Sequence, residues 1–383
     1  MSQVVADGVV VGEGAVGKPF VLAHLSDPHL GPLPPPRVRE LASKRLLGYI
    51  NWRRSRSHIH RADALDAITR DLRGERPDHV AVTGDLVNIA LPAEFAHARR
   101  WLEGLGPPAE VSVVPGNHDA YVAAADLHRD PHWAPYMAGD DALSGSDGRH
   151  APSPLVGEGR GGGSGGCGDA IPPLATPTPG PSPAEPRYSE GSATQQSDRS
   201  RQQPTSIGGG EKTLFPYLRR RGPVALIGVS TAIATPPFMA TGRLGEQQIA
   251  RVAEMLDASR TLFRVVMIHH PPITLASAHH KRLVDARAFR QVIAAVGAEL
   301  IIHGHDHVHA LASIEGNGGR VPVVGVPSAS ASADIKHHAG AYNLYRIGGD
   351  PGGWRCEVVS RGLRPSGAVT EINRFTLSWS GNA

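Results

Sequence analysis

The stretch Phe20-Val21-Leu22-Ala23-His24-Leu25-Ser26-Asp27-Pro28-His29 sets the reading of the whole chain: an apolar run of strand length gives way to a carboxylate and, two residues on, an imidazole. The same construction returns four times. Val80 to Thr83 leads into Gly84-Asp85, Val111 to Val114 into Gly116-Asn117-His118-Asp119, Val265 to Ile268 into His269-His270-Pro271-Pro272, and Leu300 to Ile302 into Gly304-His305-Asp306-His307. Short runs rich in Val and Ile, bounded by Gly, Pro, Asn or Asp, read as buried strands. The polar blocks therefore fall where strands end, and open α/β sheets gather ligand sites at that carboxyl edge. Residues i and i+2 of an extended chain face the same side, which predicts that Asp27 with His29, and His305 with His307, each act as a pair.

These blocks offer imidazole, carboxylate and carboxamide donors and no thiolate. Such a set suits Mn, Fe, Zn or Co in a hydrolytic centre and disfavours soft metals and iron–sulfur clusters. A single histidine says little in a chain that has 20; His24, His79, His97, His132, His303 and His309 are read as ordinary core or surface residues. Two divalent cations held by two carboxylates keep a surplus of positive charge, for which a phosphate ester is a natural counterion.

In their order, the five blocks resemble the D-x-H, G-D, G-N-H-D/E, H-P and G-H-x-H pattern of the calcineurin-like metallophosphoesterases, from about Phe20 to His309 with one long interruption. The resemblance implies an α/β layered sandwich of two mixed β-sheets flanked by helices. It also implies two divalent metal ions, Mn or Fe in first place and Zn or Co as alternatives. Asp27, His29 and His307 would hold one, Asn117, His269 and His305 the other, and Asp85 would bridge them. His118 would be the catalytic histidine, donating a hydrogen bond to the phosphoryl group or a proton to the leaving alkoxide. His270 is implied to orient its neighbours or face the substrate, and Asp119 and Asp306 are read as orienting or solvent-facing groups. The activity implied is hydrolysis of phosphodiesters or small phosphate esters by a hydroxide bridging the metals, and His-His-Pro-Pro looks like the bacterial cyclic-nucleotide phosphodiesterase branch. A non-catalytic scaffold of the same fold is expected to have lost His118 or several ligands, and every element of the pattern is present.

Helical periodicity fills the spaces between strands: Ala62 to Leu72, closed by Gly74; Glu94 to Leu105, with Phe95, Ala98, Leu102 and Leu105 on one face; a helix marked by Ile249, Val252, Ala253 and Leu256; and one from Asp285 to Gly297. After the last block come short strands, Val321 to Val326, Ala341 to Ile347, Trp354 to Ser360 and Glu371 to Ser378, expected to finish the second sheet. Residues 145–210 differ. They hold 15 Gly and 10 Pro among 66 residues but only six large apolar side chains, too few to offset the entropy of ordering them. The domain organisation expected is thus a flexible tail over 1–18, a first half over 19–144, a disordered insert over 145–210 and a second half over 211–383.

Two cysteines, Cys167 and Cys356, make no disulfide framework. Met1 to Lys18 lacks a basic start and an apolar core of signal length, and no run of about 20 apolar residues occurs, so a cytoplasmic protein is expected. The net charge of +3 does not point to nucleic acid. Charge is instead concentrated from Arg37 to Arg61, with eight Lys or Arg and one acid, Glu40, among Leu46, Leu47, Tyr49, Ile50 and Trp52. This segment directly follows the first block. It reads as a solvated helix packed on the core, as a cap that collects an anionic phosphate-ester substrate, or as a face lying on an anionic membrane. The last would give access to a lipid phosphate or a lipid-linked pyrophosphate, and His279-His280-Lys281-Arg282 would add a second basic wall.

Overall fold

Along one central strand, Phe263, Val265 and Met267 belong to one hydrophobic core while Val266 and the following Ile268 belong to another. This period of two is what a strand buried on both faces requires. It divides the fold into layers. The computed structural model describes residues 18–140, 214–273, 279–333 and 338–379; most of the tail read over 1–18 and all of the insert read over 145–210 lie outside them.

Twelve strands are described: β1 (Phe20–Leu25), β2 (His79–Val82), β3 (Val111–Val113), β4 (Tyr217–Arg221), β5 (Val224–Gly228), β6 (Phe263–Met267), β7 (Leu300–His303), β8 (Ala310–Gly316), β9 (Gly319–Gly325), β10 (Ala341–Gly348), β11 (Arg355–Leu363) and β12 (Val369–Leu377). The first sheet has the order β12-β11-β10-β1-β2-β3 and the second β4-β5-β6-β7-β9-β8. β1, β2 and β3 are parallel, with Leu25 opposite Val82 and Val82 opposite Val113. β5, β6, β7 and β9 are likewise parallel. The antiparallel pairs β1–β10, β4–β5 and β8–β9 make both sheets mixed.

The crossovers carry helices: α1 (Arg45–Asn51), α2 (Ala62–Gly74), α3 (Pro92–Leu105), α4 (Asp126–Trp133), α5 (Glu246–Asp257) and α6 (Ala286–Val296). α2 and α3 bury Leu65, Ile68, Leu72, Phe95, Ala98 and Leu102 in the same core as β1 and β2, whereas α5 and α6 bury Ile249, Val252, Leu256, Phe289 and Ile293 against the outer side of the second sheet. Asp285 precedes α6 as expected, but its carboxylate accepts hydrogen bonds from Leu244 N and Gly245 N at the start of α5 (2.8–3.1 Å). It thus joins the two helices.

The C-terminal strands correct one expectation. Of the four strands expected there, only β9 joins the second sheet, beside β8; β10, β11 and β12 extend the first, since β10 pairs antiparallel with β1 over Phe20↔Ile347 to His24↔Asn343. β1 needed a partner on its other side, and its burial on both faces hides which strand supplies it. A buried arginine ties the second sheet to the first half of the chain. Arg219 in β4 is fully buried and donates to the carbonyls of Ala138, Pro108, Val111 and Pro135 at 2.6–2.8 Å, which satisfies the guanidinium without a carboxylate.

Candidate metal centre

Five parallel strands, β1, β2, β3, β6 and β7, end at the same edge, and the loops that follow are stitched to one another. Asp27 N donates to Gly84 O (2.9 Å), His29 N to Asp85 O (3.0 Å) and Gly304 N to His269 O (3.2 Å). The pairing expected from extended chain is corrected here. Asp27, His29, Asp85, His305 and His307 have φ of +38° to +71°, five of the eight non-glycine residues with positive φ among those described. These side chains converge because the backbone turns sharply after each strand, at a cost of about 1–3 kcal/mol each that the surrounding bonds must offset. Gly304 permits it: a Cβ there would run into Ser26 Oγ and Asp27 Oδ2.

Asp85 stands in the middle. Its Oδ2 lies 3.9 Å from His29 Nε2 and 3.5 Å from His269 Nε2, while its Oδ1 accepts the backbone N–H of His118 at 2.7 Å. On one side, His29 Nε2 is 3.4 Å from His307 Nε2, which is 3.2 Å from Asp27 Oδ1; the other oxygen of Asp27 accepts from His305 N at 3.0 Å. On the other side, His269 Nε2 is 3.2 Å from Asn117 Oδ1 and 3.3 Å from His305 Nδ1. All seven expected ligands are therefore brought together, as two clusters sharing Asp85. The remaining ring nitrogens are anchored outside them, His29 Nδ1 near Val87 O (3.3 Å), His269 Nδ1 on Thr83 O (2.7 Å) and His305 Nε2 on Lys281 O (2.9 Å). Fixing one nitrogen on a carbonyl leaves the other to bind metal.

His270 is placed differently from His269. Both its nitrogens have protein partners, Thr231 Oγ1 at 2.6 Å and Ala240 O at 3.0 Å. Asp119 is a buried staple, its two oxygens accepting from Val87 N (3.1 Å) and Gly116 N (2.8 Å), and burial, helped by Asp85, pushes its carboxyl up to about 7. His24, His79 and His303 are core residues with partners at Thr83, Ser112 and Gly304.

The electrostatics fit cations. Burial, then the neighbouring Asp27, pushes Asp85 up to about 8. Burial alone would raise Asp27 as well, but His307 overrides it and holds that carboxyl below the usual range. Burial also keeps His29 and His305 well below the ordinary histidine range, so both present neutral lone pairs. Two buried carboxylates beside such imidazoles suit two divalent ions, which would relieve the charging cost of Asp85.

The basic segment closes one side of the centre. α1 passes into a π-helical turn, Trp52–Arg56, and a last helical turn, Ser57–Ile59, and this run brings Arg56 Nη1 within 2.9 Å of His118 Nε2. His118 Nδ1 hydrogen-bonds to Asn88 O, and burial, with Arg56 next, keeps the ring well below its ordinary pKa. A cleft of about 590 Å3 opens here, lined by Arg56, Asn117, His118, Lys44, Trp52 and Tyr121 and, opposite, by Phe238, Met239, His280 and Lys281. Lys44 spans it, donating to Thr235 O at 2.7 Å. The sequence pointed to the segment but not to Arg56 or His60; the adjacent His58-Ile59-His60 spacing is the one signal it offered. No described helix is long and apolar enough to cross a membrane.

Comparison with known proteins agrees with the class that this fold and centre define. The family described as calcineurin-like phosphoesterase matches residues 20–164. The chain is 35% identical over 100 residues to the glycerophosphodiester phosphodiesterase GpdQ of Enterobacter lignolyticus (strain SCF1), a match spanning 26% of this chain and 30% of that protein. A dimetal phosphatase from Danio rerio superimposes with a TM-score of 0.51 at 11% identity, covering 95% of this chain and all of that one. Over residues 20–164 the chain is similar to the calcineurin-like phosphoesterases, and its fold is similar to that of the dimetal phosphatase.

Proposed function

We propose that this chain is a binuclear metal-dependent phosphoesterase acting on phosphodiesters or small phosphate esters. The observation that supports it best is the shared Asp85 Oδ2, with one cluster of donors on each side, beside a histidine and an arginine that face the cleft. Asp27, His29 and His307 would hold one ion, Asn117, His269 and His305 the other, and Asp85 both. Two such ions lower the pKa of water and neutralise phosphoryl oxygens.

The side chains at the mouth would do the rest. Arg56 offers a planar donor pair to the phosphoryl oxygens. An anionic group placed between Arg56 and His118 offsets both the burial and the guanidinium that disfavour imidazolium. His118, its Nδ1 on Asn88 O, can then carry a proton at Nε2 and pass it to the leaving oxygen. The retained His118 and complete donor set speak against a non-catalytic scaffold.

A second reading draws on the rim. Leu47, Ile50 and Phe238, which line the cleft, are 45%, 38% and 85% exposed, and Leu46 beside them is 47% exposed; Arg54 and Lys281 line the cleft as well, with Arg53 next to them in sequence. An apolar rim set among cations suits an acylated phosphate or pyrophosphate presented at an anionic surface. The test is a panel on Mn-loaded protein: a chromogenic diester, its monoester, a cyclic nucleotide and a lipid-linked sugar nucleotide, with and without anionic vesicles. Preference for the diester supports the first reading. Cleavage of the lipid pyrophosphate alone, faster on vesicles, supports the second, and no hydrolysis with metal bound refutes both.

A further inference from the structure

His60 ends the basic segment, and the chain holds it there firmly. Its N–H donates to Arg56 O (2.8 Å), Arg61 N donates to Ser330 O (2.8 Å) and Ser332 N to Ile59 O (2.8 Å), a short bridge that pins the end of the helical run to the loop after β9. The ring is buried, with 7% of the residue exposed. Its Nδ1 lies 2.9 Å from Ser330 Oγ and 3.3 Å from Ser328 Oγ. Ser328 donates its own proton to Asp27 O at 2.6 Å, so toward the ring its oxygen can only accept.

The ring held in this way stands beside the first cluster. The His60 ring centre is 4.3 Å from that of His29 and 5.5 Å from that of His307. Ligand atoms of His29, His60 and His307 all lie within 4.8 Å of one another. Three imidazoles with ligand atoms this close together make a donor set for a single cation. Anchoring one ring nitrogen on a neighbouring polar group, as Ser330 does here, is also what orients a metal-binding histidine.

We propose that His60 is a third imidazole ligand of the ion held by Asp27, His29 and His307, an inference that rests on the binuclear reading above. The two metal positions then differ in chemistry. The first has three imidazoles, Asp27 and the shared Asp85; the second has two imidazoles, Asn117 and Asp85. The first is the more nitrogen-rich and favours borderline ions such as Fe, Co or Zn over Mn. His60 also joins this metal to the segment that carries Arg56, so that filling the site fixes the cap.

The experiment is a Co2+ titration of chelator-stripped full-length protein, followed by calorimetry and by visible absorption, for wild type, His60→Ala, His60→Gln and Ser330→Ala. Wild type should take up two equivalents; uptake of none or one would defeat the binuclear reading itself, independently of His60. With two bound, His60→Ala should weaken one equivalent by more than the ~10–100-fold that partners behind a metal ligand typically cost. It should also change that equivalent's absorption band, with added imidazole restoring it. Ser330→Ala should show a smaller weakening of the same equivalent. Circular dichroism and melting of the stripped variants guard against misfolding, and His60→Gln serves if His60→Ala does not fold. Two equivalents of unchanged affinity and spectrum in His60→Ala or His60→Gln, with only KM altered, would overturn the proposal and make His60 a substrate contact.

Discussion

Nη1 of Arg56 lies 2.9 Å from Nε2 of His118. A guanidinium cannot accept a hydrogen bond, so at this distance it donates to the imidazole, and on the proposed reading a phosphoryl oxygen would replace this contact. Replacing Arg56 by Ala should therefore raise KM and lower kcat/KM by about 10–100-fold, the worth of a hydrogen bond to a charged group. Arg56→Lys should recover only part of the loss, because an ammonium lacks the planar fork. Steady-state kinetics on the diester checks this; an unchanged kcat/KM in Arg56→Ala would remove Arg56 from the substrate site.

His118 contributes its backbone N–H to Asp85 Oδ1 and its ring to the cleft. His118→Ala should leave metal content unchanged, since the backbone bond survives, while kcat drops by about 10²–10⁴-fold, as for loss of a positioned acid. Metal analysis and single-turnover rates on one preparation separate the two effects. Full turnover by the variant would sink the assigned role.

The sequence made the parallel strands and the seven donors legible because each donor block follows an apolar run, and such runs end at a common edge. It misled on how the donors converge. Asp27 and His29 are not on extended chain but on left-handed backbone, a conformation that Asp tolerates and that no apolar pattern announces. The sheet that takes β10 to β12 was hidden for a similar reason: β1 is apolar on both faces, so its alternation does not say which neighbours it has. His60 and Arg56 escaped notice because they are brought to the centre by a π-helical turn and by the bridge from His60 to Ala331, features that depend on contacts distant in sequence.

Two histidines in the core should make the protein acid-labile. Burial, then His303, lowers His24 to about 3, and burial lowers His303 to about 4. In the unfolded chain both titrate at the ordinary value. The unfolded state therefore binds more protons between that value and the depressed ones, and stability falls as pH drops through this window. Each should contribute a loss of about 2 kcal/mol from pH 7 to pH 5. Urea unfolding of metal-stripped protein across this range should show a smaller slope for His24→Gln than for wild type; equal slopes would contradict the assignment.

No candidate ligand falls within 145–210, and the flanks of this stretch are joined without it. Asp140 accepts from Arg220 N at 2.7 Å, and Arg219 reaches the carbonyls of Ala138 and Pro135. We propose that replacing 145–210 by a short Gly/Ser linker leaves metal stoichiometry and turnover unchanged. Stability should rise by a couple of kcal/mol at most, since loop closure changes by about 0.6 kcal/mol per doubling of length. Loss of activity from a folded deletion variant would assign the stretch a part in the site.

The most direct measurement is a Mn2+ titration of the chelator-stripped full-length chain, counting bound metal while following diester hydrolysis, for wild type and Asp85→Ala. Because Asp85 Oδ2 stands between both clusters, wild type should bind two ions and reach full activity only with the second. Asp85→Ala should lose both high-affinity equivalents and hydrolysis together. Full activity with one ion, or hydrolysis by Asp85→Ala at the wild-type rate, would contradict a binuclear centre built on Asp85.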